Sequence, residues 1–352
     1  MRGRGIFNEL FGEKPIDCSI PGMTRLNGQN RYNISFISGK NDDVATCALT
    51  DDTGCPAYKR GKRMGANSYF GTMYNTSCGE NQAKYITKVV PFTFRLFSGS
   101  SSPEKFLKEF KLQSIASNVG ISPKVRSIYL TKTEGVAIME RMPYSLKDVM
   151  FSLLPENSFI NNGEQRYFPK KIVFPNGVDS IDAKIKFIVN KIKDAIITLH
   201  KLGIFHSDLH VDNVMFNDNM DCMIIDYGIS SMFIDKEVED IMDSSDNGEE
   251  RRLKTKSIAR DITLAELDMM DPSLNMSYWY EDISDENALQ TFKGIVEEYT
   301  KQLLTLRMPI WTNLNGILLE KIREKNAARK KRSDMNNNLR VRVNYHENNI
   351  DN

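Results

Sequence analysis

The stretch from His206 to Gly228 holds the side chains best suited to chemistry. It reads His206-Ser207-Asp208-Leu209-His210-Val211-Asp212-Asn213, and thirteen residues after Asn213 comes Asp226-Tyr227-Gly228. Two carboxylates and an amide in this order suit transfer of a phosphoryl group. Asp208 would lie beside the accepting hydroxyl, orient it and take up its proton. Asn213 would place an amide oxygen on a metal ion, and Asp226 would chelate the metals that bridge the phosphates, because hard cations prefer oxygen ligands. Asp and Asn are also ordinary turn formers. Both spacings, the preceding His206 and the apolar pair Ile224-Ile225 leading into Asp226 favour the chemical reading. His206 reads as a prop for the loop rather than as a reactant. His210 is either a weak phosphate contact or a surface residue.

Such a site also needs a cation on the phosphates and backbone close to them. Lys88 lies in Tyr85-Ile86-Thr87-Lys88-Val89-Val90, a strand by composition, and the strand period puts Ile86 on its face. Lys84 is the competing cation, and a lysine on a strand is often only a solvated edge residue. Gly65-Ala66-Asn67-Ser68-Tyr69-Phe70-Gly71 is the candidate phosphate-covering loop, with Gly65, Asn67, Ser68 and Gly71 as binding residues. Glycine permits close backbone approach, and Asn tolerates left-handed angles. The same residues would also suit a plain hairpin. Glu109, with Glu104 as the alternative, is the candidate partner that would hold Lys88 in place.

These residues need elements to position them. Ser68 to Tyr74, Lys84 to Phe92, Val125 to Leu130 and Gly135 to Met142 read as strands. Ser101 with Glu104 resembles a capping box, with Pro103 in the first turn of a helix running to about Ala116. Ile185, Ile188, Val189, Ile192, Ile196 and Leu199 keep a 3.6-residue period and deliver the chain to Gly203 and His206. Further helices are expected from Asp261 to Met270 and from Leu289 to Leu306. Residues 235 to 250 hold eight acids and one lysine, and residues 251 to 260 hold five basic residues, which suggests a mobile surface loop. Residues 1–60 carry turn signals and read as an extension, in which Ile6, Phe7, Leu10 and Phe11 could face one side of a short helix.

At 352 residues, with 40% hydrophobic and 26% charged content, the chain can bury a sizeable core. A net charge of +1 argues against wholesale nucleic-acid binding. No apolar run reaches the length of a membrane span, and the start of the chain lacks a signal-peptide or myristoylation pattern. The five scattered cysteines, Cys18, Cys47, Cys55, Cys78 and Cys222, suggest neither zinc spacing nor a disulfide framework. Free thiols in a reducing, cytoplasmic setting are the expectation. The run Arg329 to Arg332 reads as a solvated tail, or as a site for an acidic partner or a nuclear signal.

From Gly65 to Leu306 the order of these features resembles the protein-kinase-like superfamily: glycine loop, strand lysine, helix glutamate, long helix, catalytic loop, metal-binding Asp. Leu199 to His206 is similar to that family's approach to its catalytic loop. The resemblance implies an α+β, two-lobed fold, with a small antiparallel β-rich N-lobe at 61–142 and a larger α-helical C-lobe at 143–325. A basic, Asn-rich tail at 326–352 would follow. It implies ATP with Mg2+ (or Mn2+), Met139 as gatekeeper, and Glu140 and Met142 as hinge residues whose backbone would bind adenine. Asp261 would be the buried anchor of the catalytic loop.

A Ser/Thr side chain on a protein is the implied acceptor, since tyrosine kinases usually carry a different sequence after the base. Leu209-His210 is also similar to small-molecule kinases, of the aminoglycoside and choline type. The glycine loop departs from the family pattern, and no Ala-Pro-Glu motif follows Asp226 in the expected window. Both departures leave a pseudokinase scaffold or virion component as a rival. Ser207 stands where an arginine usually receives a phosphorylated activation loop. The Asn-, Met- and Ile-rich style resembles kinases of large DNA viruses, which would imply a virion or host-protein partner.

Overall fold

The computed structural model describes residues 24–25, 47–50, 55, 58–68, 71–78, 84–92, 102–161, 164–165, 167–168, 170–243, 248–271 and 277–347. The expected helix at Ile6 to Phe11 and the expected cap Ser101 lie outside them. The chain forms two compact units. The first takes the described residues up to Leu153 with Pro169–Val173 and Asp212–Ser230, and the second takes the rest.

The first unit is built on a seven-stranded antiparallel sheet. Its strands are β1 (Thr24–Arg25), β2 (Cys47–Thr50), β3 (Tyr58–Ser68), β4 (Gly71–Cys78), β5 (Tyr85–Pro91), β6 (Val125–Leu130) and β7 (Glu134–Glu140), in the order β1-β2-β6-β7-β5-β4-β3. Between β5 and β6 runs α1 (Pro103–Ser117). Its cap is Ser102, whose hydroxyl accepts from the Lys105 N–H at 3.3 Å, with Pro103 in the first turn. Alternation along the strands sorts the core into two faces. Val90, Ala137 and Met139 join Phe106 and Phe110 of α1 on one face, while Val89, Val136 and Ile138 join Tyr58 and Tyr129 on the other.

A smaller sheet of β8 (Tyr144–Ser145), β12 (Val214–Phe216) and β13 (Cys222–Ile224) completes the unit, with α2 (Leu146–Phe151) leading out of β8 through a capping box of Ser145 and Asp148.

The second unit is mainly helical. It holds the short pairs β9 (Ile160–Asn161) with β10 (Glu164–Gln165), and β11 (Ile204–Phe205) with β14 (Ser231–Met232). Its helices are α3 (Ile181–Lys201), α4 (Ile234–Asp243), α5 (Gly248–Met269), α6 (Ser277–Tyr280), α7 (Glu286–Thr305) and α8 (Arg307–Glu347). Helix α3 keeps Ile185, Ile188, Val189, Ile192, Ile196 and Leu199 buried, as its period demands.

The structure corrects the expectations for the acidic stretch and for the cysteines, and shows the form of the polar end. The acidic stretch after Asp235 is helix, not loop, because Ile234, Val238, Ile241 and Met242 make a buried stripe beneath its charges. That stripe packs with Leu314, Leu318 and Ile322 of α8, whose Lys325 and Arg329 reach Glu239 at 2.8 Å and Asp243 at 3.1 Å. The polar stretch beginning near Asn326 continues α8 as helix to Glu347. The cysteines are not all free thiols: Cys55 is bonded to Cys78, Cys47 is also disulfide-bonded, and Cys222 is a buried free thiol. Tyr58 lies opposite Cys78 in the β3–β4 register, so the hairpin brings the Cys55 region to its partner. No described helix is long and apolar enough to cross a membrane.

Candidate active site

Lys88 occupies the middle of β5, with β4 on one side and β7 on the other, opposite Met73 and Ala137. Its side chain lies on the α1 face and is buried. A buried ammonium needs a partner. Glu109 of α1 supplies one, with Lys88 Nζ 2.7 Å from Glu109 Oε1, and Asp226 Oδ1 stands 3.3 Å away. Burial pulls the Lys88 ammonium down, but the two carboxylates outweigh it and hold it above its ordinary value. Burial pushes the Glu109 carboxyl up, with Lys88 opposing and Asp226 adding to the rise.

The seat of α1 explains how Glu109 arrives there. Phe106, Leu107 and Phe110 are buried against the sheet, and Phe106 lies flat over Gly135 of β7. A Cβ at Gly135 would stand 2.7 Å from that ring, so only glycine permits the approach. Glu104 is exposed in the first turn of α1, and Lys84 is exposed at the head of β5.

Asp226 follows β13 with a left-handed φ of 62°, a backbone cost that non-glycine residues accept mainly at functional or turn positions. The Ile225 N–H donates to the Asn213 carbonyl at 3.1 Å, which ties the end of β13 to the start of β12. Asn213 is buried, and with Asp226, Lys88, Glu109 and Gly71 it lines one pocket. Met73, Ile86, Gln113, Met139 and Ile225 form the remaining walls. Gln113 is fixed there by its amide, which donates to the Pro123 carbonyl at 3.1 Å and lies 3.5 Å from Met139 Sδ.

Gly71 has φ 122°, and a Cβ on it would meet the Val89 carbonyl at 2.9 Å. Gly65, Asn67 and Ser68 belong to the end of β3, where Ser68 is the register partner of Gly71; residues 69–70 lie outside the described residues.

Glu140 and Met142 follow β7 out of the sheet. The Glu140 N–H donates to Lys124, the Arg141 N–H donates to Lys84, and the Glu140 carboxylate pairs with Arg126 rather than entering the pocket of Lys88.

Asp208 belongs to the second unit, on the loop that follows α3 and β11. Ser207 before it takes a left-handed φ of 65°, and His206 and Leu209 are buried on either side. The buried pair anchors the loop and leaves Asp208 half-exposed, with His210 Nε2 at 3.9 Å from its carboxylate. Asp261 is not the buried anchor expected of it: it is exposed on α5 beside Arg260. The buried acid of that helix is Glu266, 2.8 Å from His200 near the end of α3. Both side chains are fully enclosed, so the pair fastens α3 to α5 just before the Asp208 loop. The sequence signal for Glu266 was its helical offset from Asp261, which turns it to the other face of α5.

Among the described residues no three acids, histidines or cysteines cluster as a metal site. One carboxylate and one amide in a shared pocket nevertheless fit a hard cation that takes its other ligands from phosphates and water.

The family model described as the protein kinase domain matches residues 58–247, more than half of the chain. This chain belongs to the protein kinase domain family, and its antiparallel sheet and helical portion are the α+β kinase fold. It is also similar to NUAK family SNF1-like kinase 1 of Mus musculus and of Homo sapiens, at 25% identity over 111 residues in each case. Those matches cover 32% of this chain and only 14% of each relative.

Proposed function

We propose that this chain is an ATP-dependent phosphotransferase, a divergent Ser/Thr protein kinase that moves the γ-phosphoryl group of ATP to a protein hydroxyl. The observation that carries the reading is the pocket in which Lys88, held by Glu109, faces Asp226 beside Asn213. A membership that spans more than half of the chain supports the same reading.

Each residue then has a role. Lys88 holds the phosphates, and Glu109 fixes Lys88. Gly71 lets the backbone come close, and the end of β3 from Gly65 through Asn67 and Ser68 covers the triphosphate. Glu140 and Met142 would bind adenine through their backbone, with Met139 as the gatekeeper. Asp226 and Asn213 would hold Mg2+ or Mn2+, which would supply positive charge to stabilise the transferring phosphoryl group. Asp208 orients the acceptor hydroxyl and takes its proton as the new P–O bond forms and the bond to the ADP oxygen breaks.

The kinase core would occupy residues 61–325, with flanking segments at 1–60 and 326–352. The compositional likeness to kinases of large DNA viruses extends the proposal to a host-cytoplasmic or virion setting, with virion or host proteins as partners.

Incubation with γ-labelled ATP, a divalent metal and generic acidic and basic proteins tests the proposal. Label on Ser or Thr that disappears in Asp208→Ala supports it. Label on a metabolite alone would favour a small-molecule kinase. No transfer, together with no Mg-ATP shift in melting temperature, would favour a scaffold.

A further inference from the structure

A second pocket, of about 790 Å³, lies in the first unit and shares no lining residue with the pocket of Lys88. Strand alternation explains the separation. The register pair Ile86 and Met139 belongs to the α1 face, whereas the next pair, Tyr85 and Glu140, belongs to the opposite face and lines the second pocket. The second pocket lies where the chain leaves the sheet after β7.

Four cations line the second pocket, Lys84, Arg126, Arg141 and Lys170, against two acids, Glu140 and Asp218. Arg126 pairs with Glu140, and Lys170 is held by the Pro143 carbonyl at 2.6 Å and by Asp148 at 2.9 Å. Lys84 and Arg141 have no carboxylate partner among the described residues. Their backbones are hydrogen-bonded to each other at 3.0 Å, so two exposed cationic side chains start from neighbouring positions on one rim. Like charges held together repel unless an anion joins them.

We infer that this pocket is a docking site for a short acidic segment of a protein partner. The volume falls in the range of sites that enclose a small ligand, which suits a few residues of extended chain rather than a folded surface. Arg141 and Lys84 take the carboxylates, and Tyr85, Met142 and Pro143 supply apolar wall beside them. Because Glu140 and Met142 belong to both this wall and the proposed adenine-binding segment, an occupant here would touch that segment directly.

The test is fluorescence anisotropy with a labelled Glu-rich dodecapeptide, its Gln-for-Glu counterpart and a Lys-rich peptide. The expected result is binding of the acidic peptide only, weakened by salt, and weakened at least tenfold in the double variant Lys84→Glu/Arg141→Glu. The milder Lys84→Ala/Arg141→Ala should weaken it less, and the charge-reversed variant should gain affinity for the Lys-rich peptide. Each variant is first required to keep the wild-type melting temperature, which shows that the fold is intact. Equal binding of the Glu and Gln peptides, no binding of either, or acidic-peptide binding unchanged in both folded variants would overturn the inference. The readout needs no phosphoryl transfer, so this site and the proposed kinase activity stand or fall separately.

Discussion

At the residue scale the account turns on Lys88 between Glu109 and Asp226. Removing the ammonium leaves two carboxylates facing each other, so Lys88→Met should lower kcat/KM for ATP by about a hundredfold or more, as the loss of a preorganised charge does. Steady-state kinetics with folded protein would show it, and an unchanged constant would remove Lys88 from the site.

The pH dependence follows from Glu109, whose carboxyl is raised above 4.5 by burial. A raised carboxyl pKa means that the fold favours the neutral form; ionising Glu109 costs stability as pH rises through its folded pKa, and the Lys88 pair offsets part of that cost. The ion pair exists only once Glu109 is charged. The acid limb of kcat/KM should therefore lie above pH 4.5, and Glu109→Gln should be slower and lack that limb. Lys88, raised above 10.5, keeps its charge and its contribution to stability throughout the neutral range and loses both only at higher pH.

Much of this was legible in sequence, because a strand lysine, a helix acid and a D-x-G at set separations restrict each other. The choice between Glu109 and Glu104 could not come from spacing alone; it needed the seat of Phe106 and Phe110, which rotates Glu109 inward. Asp261 was misread for the same reason: it and Glu266 share α5, and only packing tells its buried face from its wet one.

At the element scale, two devices hold the parts of the first unit in register. The Cys55–Cys78 bridge closes a loop with a sequence separation of 23 around the β3–β4 hairpin. In the chain-entropy picture such a crosslink is worth about 3 kcal/mol. Cys55→Ser/Cys78→Ser should lose roughly that in denaturant unfolding, and no loss would mean that the hairpin register stands without it. This pairing was hidden in the sequence, where the two cysteines are far apart, and became visible only through the register that sets Tyr58 against Cys78.

The second device is the contact of Phe106 with Gly135. Gly135→Ala should push α1 off β7, cost about 1–3 kcal/mol as overpacking does, and lower kcat through Glu109 although it touches no proposed ligand. Activity equal to wild type would show that α1 tolerates the shift. Helix α4 was missed because its eight-acid neighbourhood masked the apolar spacing from Ile234 to Met242. The surface ion pairs to α8 add little by themselves, so the buried stripe is what makes α4 a helix.

At the scale of the whole molecule, the two-lobed fold was legible through the resemblance carried by the motifs from Gly65 to Leu306, with the strand candidates and the long amphipathic helix before the Asp208 loop in agreement with it. The strands β1 and β2 at one end of the sheet were not legible, because two- and four-residue strands carry almost no period. A nucleotide that binds only the folded chain should raise its stability by about 2.7 kcal/mol at a hundredfold excess over Kd, seen as a higher melting temperature with Mg-ATP.

The most direct test of the central claim is transfer of label from γ-labelled ATP to protein, run with wild type and Asp208→Ala while nucleotide binding is followed in parallel. The account predicts label on Ser or Thr in the wild type, none above background in Asp208→Ala, and nearly equal ATP binding in both. Undiminished transfer by Asp208→Ala, or transfer by neither protein despite intact ATP binding, would contradict it.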